Sequence, residues 1–141
     1  MAGVPKPVTM AGSPRDEFAV SVLICTRNRP AELGRALESV ARSTLPVHQV
    51  VVSDDSSDNR SRRVTEAVPD VVWTAGPRVG LGANRNHALR MASGSHVLFI
   101  DDDVELGEEF LPLVRRCWER LAEDNRGRTI LAGAEIQGAS W

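Results

Sequence analysis

Cysteine is scarce in this chain: Cys25 and Cys117 stand far apart and in unlike surroundings. Two such residues make neither a disulfide framework nor a zinc-ligand spacing, and they fit a reducing, cytosolic compartment. The three histidines, His48, His87 and His96, form no metal-ligand pattern with one another. His48 precedes a strand and His96 opens one, so both read as structural; His87 lies near Arg85 but is left out of the candidate site. Long apolar runs are also missing. Nothing approaches the roughly 20 residues that a membrane helix needs, so no transmembrane segment is expected. The N-terminus, MAGVPKPVTMAGSPRDEF, has proline and glycine where a signal peptide needs a continuous apolar stretch. Residues 1–17 are therefore read as a disordered leader before one domain at 18–141. Excess charge of one sign is lacking too: the net charge is -2, which gives no electrostatic case for nucleic acid or an anionic membrane as a main partner.

Several motifs are absent. There is no P-loop and no nucleophile elbow, which excludes the common NTPase and serine-hydrolase readings. Gly80-Leu81-Gly82-Ala83-Asn84-Arg85 begins like a dinucleotide fingerprint. Arg85 replaces its third glycine, however, and the segment follows a loop rather than a strand, so that reading fails.

What is present alternates. Ala19–Ile24 and Gln49–Val52 are continuous apolar runs rich in β-branched residues, suited to strands buried on both faces. Val71–Thr74, His96–Ile100 and Thr129–Ala132 read as three further strands. Between them, Leu33, Leu37, Val40 and Ala41 repeat at helical spacing behind Pro30, a residue favoured in a first turn. Arg60–Ala67 reads as a short helix. Gly82–Ala92 reads as a helix with Leu81, Ala88, Leu89 and Ala92 on its apolar side and Gly94 as its terminating glycine. Glu108–Glu123 is the last, with Phe110, Leu113, Val114, Cys117 and Leu121 inward and Pro112 in its first turn. Strands alternating with helices imply a parallel sheet with helices on both faces. Right-handed crossovers bring the loops at the strands' carboxyl ends to one edge, and a strand order of 3-2-1-4 puts a ligand crevice between the first and fourth strands.

Three strands end in polar clusters at that edge: Cys25-Thr26-Arg27-Asn28, Asp54-Asp55 and Asp101-Asp102-Asp103. Three adjacent carboxylates repel one another unless a cation is near. Asp101 and Asp103, as alternate residues of an extended segment, are expected to turn to one side. There they offer Mg2+ or Mn2+ two hard oxygen ligands and leave positions for phosphate and water. The plainer alternative is a solvated acidic loop. Asp54-Asp55 reads as a Ser/Asp turn when taken alone, and in context as a carboxylate accepting the ring N–H of a base. Asp58 reads as a cap or a solvated residue. Arg85, at the start of a helix, suits a phosphate or one of the aspartates.

VSVLICTRNRPAELGRALESVARST, VVVSDDSSD and GLGANRNHALRMASGSHVLFIDDDVEL, the last holding both a helix and the acidic strand, together resemble the family 2 glycosyltransferases, with four segments in the right order. The resemblance covers Val20 to about Leu111 and extends toward Gly138. It implies a Rossmann-like GT-A fold, a three-layer α/β/α sandwich with a mostly parallel sheet, which here stops before the acceptor half. It also implies transfer of a sugar from a UDP-, GDP- or dTDP-linked donor with inversion. By that resemblance Cys25, Thr26 and Asn28 line the nucleotide pocket. Asp55 contacts the base with Asp54 nearby, and Arg85 follows the phosphates or sugar. Asp102 supports the sugar or ribose, and Asp101 and Asp103 form the Asp-x-Asp pair that binds Mn2+ or Mg2+. Arg27 departs from the aromatic residue often found at its position. No residue stands out as the general base; Glu135 is a candidate, against the reading of a surface glutamate. The acceptor is not readable. Two further readings remain: a non-catalytic nucleotide-sugar-binding or assembly module, and a phosphoryl-transfer domain, whose Asp-x-Asp belongs on a first strand rather than a fourth. An exposed sheet edge or face would suit a homodimer or a separate C-terminal half.

Overall fold

The computed structural model describes residues 18–121 and residue 125. Its elements run β1 (Val20–Thr26), α1 (Pro30–Ala41), β2 (Gln49–Asp54), α2 (Arg60–Glu66), β3 (Val71–Ala75), α3 (Leu81–Met91), β4 (His96–Asp101) and α4 (Phe110–Glu119). The expected strand at Thr129–Ala132 lies outside the described residues. The strand order is β3-β2-β1-β4, every pairing is parallel, and β1 sits near the middle. All seven residues of β1 are buried, which is why its sequence is apolar without alternation.

The two faces are unequal. Val20, Val22 and Ile24 of β1 and Val50 and Val52 of β2 join Leu33, Leu37 and Val40 of α1 and Leu111 of α4 in the main core. Leaving water stabilises each such leucine by about 1.5–3 kcal/mol. The opposite face carries α3 over β1 and β2, around the smaller cluster of Leu23, Cys25, Val51 and Ala88. The layers are therefore α/β/α, as expected.

Three local expectations need correction. In α3 the buried residues are Asn84 and Ala88, while Leu81 and Leu89 are exposed. Asn84 can be buried because its amide is paired: Nδ2 donates to the Ser53 carbonyl at 3.1 Å, and Oδ1 accepts from Ser53 Oγ at 2.5 Å. In α4 Leu111 is the buried residue and Leu113 is exposed, because the helix touches the core by its first turn. Gly94 is not a left-handed cap; among the described glycines only Gly80 has a positive φ. Gly94 is needed for space, since a Cβ there would stand 2.5 Å from the Ala19 carbonyl oxygen and 2.9 Å from the Ser21 nitrogen.

Candidate functional site

The carboxyl ends of β1, β2 and β4 share one edge. Register sets Cys25 beside Asp101 on one side and Thr26 beside Asp54 on the other. From β1 the chain proceeds to β2, while β4 flanks β1 opposite, so a crevice opens between β1 and β4.

The acidic triplet is a turn rather than an extended segment. The Val104 N–H donates to the Asp101 carbonyl at 3.1 Å and closes it. Side-chain alternation therefore ends at Asp101, and each carboxylate finds its own partner. Asp101 accepts from Arg85 of α3 at 2.7 Å. Asp102 is held twice, by the Thr26 hydroxyl at 2.8 Å and by Arg29 at 3.0 Å. The second guanidinium nitrogen of Arg29 reaches Asp103 at 3.0 Å. Asp101 and Asp103 are about half exposed, whereas the Asp102 side chain is 7% exposed. Burial pushes the Asp102 carboxyl above the usual carboxylate range, against the opposing pull of the Thr26 hydrogen bond and Arg29.

Among the described residues no group of three or more His, Cys, Asp or Glu side chains is placed to hold a metal ion. Asp101 and Asp103 nevertheless each keep one carboxylate oxygen outside their arginine pair. Two exposed hard donors fit Mg2+ or Mn2+ when phosphate and water complete the shell. The residues thus suit a cation shared with a ligand, not a cage made by protein alone.

At the end of β2 the adjacent aspartates face opposite ways. Asp54 spends both oxygens internally, accepting from the Ser56 N–H at 2.8 Å and from Trp73 Nε1 at 3.1 Å. Both of its oxygens thus have internal partners that shape the loop, and the residue stands in the wall of the cleft at this edge. Asp55 accepts from the Arg78 N–H at 2.8 Å through one oxygen and keeps the other. Asn28 has φ 58° and clamps two loops: its N–H donates to Ser56 Oγ at 2.8 Å, and its side-chain oxygen accepts from the Ser57 N–H at 3.0 Å. Asp58 is exposed and accepts from the Arg60 N–H at 2.9 Å in a tight turn just before α2, whose cap position is Asn59. A cleft of about 320 Å³ opens nearby, with Asp54, Ser57, Asp58, Arg62, Trp73 and Arg78 in its wall.

Cys25 is buried beneath the crevice. Burial pushes its thiol up to about 11, with Arg85 pulling the other way, so it stays protonated at neutral pH and contributes surface rather than a nucleophile or metal ligand. The histidines are structural: His48 contacts Ser93, His87 contacts Thr74, and His96 packs between Phe18 and Trp118. The structure therefore brings together Cys25, Thr26, Arg85, Asp101, Asp102 and Asp103, and sets Asp55 across the same edge. Sequence reasoning missed Arg29 and Asn84. Asn84 was signalled by sharing a helical face with Ala88, four residues on. Arg29 carried no such signal, because its reach to the acidic turn is set by the loop before α1.

A parallel sheet with a carboxylate-lined crevice at its switch point defines an α/β domain that takes ligands at its strand ends. The chain belongs to glycosyl transferase family 2, whose family model matches residues 21–129. It is 30% identical over 93 residues to the GalNAc(5)-diNAcBac-PP-undecaprenol beta-1,3-glucosyltransferase of Campylobacter jejuni, covering 62% of this chain and 30% of that protein. It is 32% identical over 112 residues to the validoxylamine A glucosyltransferase of Streptomyces hygroscopicus subsp. jinggangensis, covering 74% and 26%. Among solved structures, S. aureus TarS superposes with a TM-score of 0.64 at 29% identity, over 72% of this chain and 19% of that one. The mannosyltransferase PcManGT from Pyrobaculum calidifontis, in complex with GDP-Man and Mn2+, gives 0.59 at 29% identity over 75% and 34%. These neighbours bear out the GT-A fold. The chain spans about a third or less of the length of these relatives.

Proposed function

We infer that this chain forms the donor site of a metal-assisted, inverting glycosyltransferase and holds the nucleoside diphosphate of a sugar donor across its strand ends. The observation that carries the reading is the convergence of Cys25, Arg85, Asp101 and Asp103 on the crevice between β1 and β4, with Asp55 on the same edge. Solved relatives in complex with UDP-GlcNAc, and with GDP-Man and Mn2+, support it.

In this reading the free oxygen of Asp55 accepts the ring N–H of the base. The backbones of Cys25 and Thr26 floor the pocket, and Asn28 fixes the loop beside it. Asp54 stays structural. Arg85, half exposed and held by Asp101, is placed to turn onto a phosphate. Asp101 and Asp103 would hold Mn2+ or Mg2+, and Asp102, locked by Thr26 and Arg29, fixes the turn that presents them. A divalent cation there stabilises the negative charge that develops on a departing diphosphate. Attack on the anomeric carbon needs a base; no described residue is assigned that role, so transfer is proposed for the whole protein and donor binding for this chain. The two free thiols go with a cytoplasmic setting. Among the described residues no helix is long and apolar enough to cross a membrane.

The test is a calorimetric titration with UDP, GDP and dTDP, each with and without Mn2+. Metal-dependent binding of one nucleotide is expected; no binding of any would sink the reading. Asp103→Ala should abolish the metal dependence, and Asp55→Ala should weaken binding and relax the preference among bases. Unchanged Mn2+-dependent affinity in the first variant removes Asp103 as a ligand. Unchanged discrimination in the second removes the base contact.

A further inference from the structure

The donor-site reading uses Arg29 only to hold Asp102, yet it makes two of the ion pairs at the acidic turn, the second to Asp103. Pro30 follows it, and a residue before proline is kept from helical geometry; Arg29 has φ -128° and sits at the cap of α1. The preceding Asn28 is held in the left-handed region by its bonds to Ser56 and Ser57. The side chain is thereby aimed across the sheet edge, 3.0 Å from Asp102 with one nitrogen and 3.0 Å from Asp103 with the other.

The two contacts differ in kind. Asp102 is buried and also bound by Thr26, so its pair with Arg29 is anchored. Asp103 is 48% exposed, and no other ion pair holds it among the described residues. An exposed arginine–carboxylate pair is weak and can be exchanged. A guanidinium and a metal ion are both cations, so they compete for the same carboxylate charge.

We propose that Arg29 is the resident counter-ion of Asp103 when the chain is metal-free, and that a divalent cation displaces it from Asp103 while Asp102 retains it. The inference rests on the donor-site reading and adds its regulation: Arg29 offsets the repulsion of the triplet until the cation arrives, and so sets how tightly the cation is taken up with its ligand. It is a positioning residue, acting through Asp102 and Asp103.

The experiment compares Mn2+ binding, by electron paramagnetic resonance of free manganese, in the wild-type chain, Arg29→Gln and Asp103→Asn, with Mn2+ alone and with UDP. Arg29→Gln should bind Mn2+ about twofold to fivefold tighter, the scale of an exposed ion pair. Unchanged or weaker binding in Arg29→Gln, with binding lost in Asp103→Asn, overturns the Arg29 role and leaves the donor-site reading standing. Unchanged binding in Asp103→Asn defeats the metal reading itself, and this inference with it. A second measurement avoids substitution altogether: in the ¹⁵N-labelled wild-type chain, saturating Mg2+ with UDP, compared with UDP alone, should shift the resonance of the Arg29 Nη–H group that faces Asp103 and speed its exchange with water. A resonance that stays in place at saturation overturns the proposal.

Discussion

Thr26 and Asp102 make the most consequential buried polar contact of the site, joining β1 to the acidic turn across 76 residues of chain at 2.8 Å. The hydroxyl donates to a carboxylate that burial has already pushed toward its protonated form. Thr26→Val keeps the shape and removes the donor, leaving a buried acceptor short of one bond. A loss of about 1–3 kcal/mol is expected by urea denaturation. The sign of its pH dependence follows from the chemistry. The Thr26 bond favours the charged form and lowers the Asp102 pKa, so the variant raises that pKa further. The loss should be full above the folded-state pKa of Asp102, where the carboxylate is ionised, and should shrink as pH falls through that pKa. An equal loss at neutral and acid pH would mean that the hydroxyl serves packing alone.

At the scale of elements, the loop between β3 and α3 must pass close over Asp55 and Asn84. A Cβ on Gly76 would collide with the Oδ1 atoms of both. Neither can easily yield, since Asp55 holds the Arg78 N–H and Asn84 is paired with Ser53. Gly76→Ala should cost about 1–3 kcal/mol, as overpacking does, and should weaken nucleotide binding even where the protein remains folded. Urea denaturation with a UDP titration separates the two effects; normal affinity in a destabilised variant would detach this loop from the site. The same region shows what was legible in the sequence. The four described strands and the edge where polar clusters gather followed from apolar runs ending in polar residues, whereas their order was a supposition that the pairing of β1 with both β2 and β4 bears out. The inward face of α3 did not, because Asn84 looks like a surface residue until Ser53 is found opposite it. Nor did the geometry of Asp101-Asp102-Asp103, where a turn closed by the Val104 N–H replaced the expected extended backbone. Local pattern reports burial and period well, but it cannot report partners supplied by another element.

For the whole molecule, the two faces of the sheet are covered unequally. Helices α1, α2 and α4 share one face, and α3 lies on the other over β1 and β2; among the described residues that side of β4 carries no helix. Val97 and Phe99 of β4 are 40% and 41% exposed there. Leu89 of α3 is also exposed, and Arg85, one turn earlier, reaches Asp101 at the end of β4. Beyond β4 no further strand is paired among the described residues. Among the described residues nothing covers this apolar face or pairs the outer edge of β4; such a surface favours association, and a second copy of the chain presents the same face. Sedimentation velocity over a concentration series should show reversible self-association. Phe99→Ser should weaken it by about tenfold or more, the effect of losing a central aromatic contact. Leu89→Ser, which lies on the helix and outside the strand pairing, should act in the same direction without the risk of disturbing the sheet. A wild-type chain that stays monomeric throughout the series, or variants that associate as it does, would show that this face is not where copies of the chain meet.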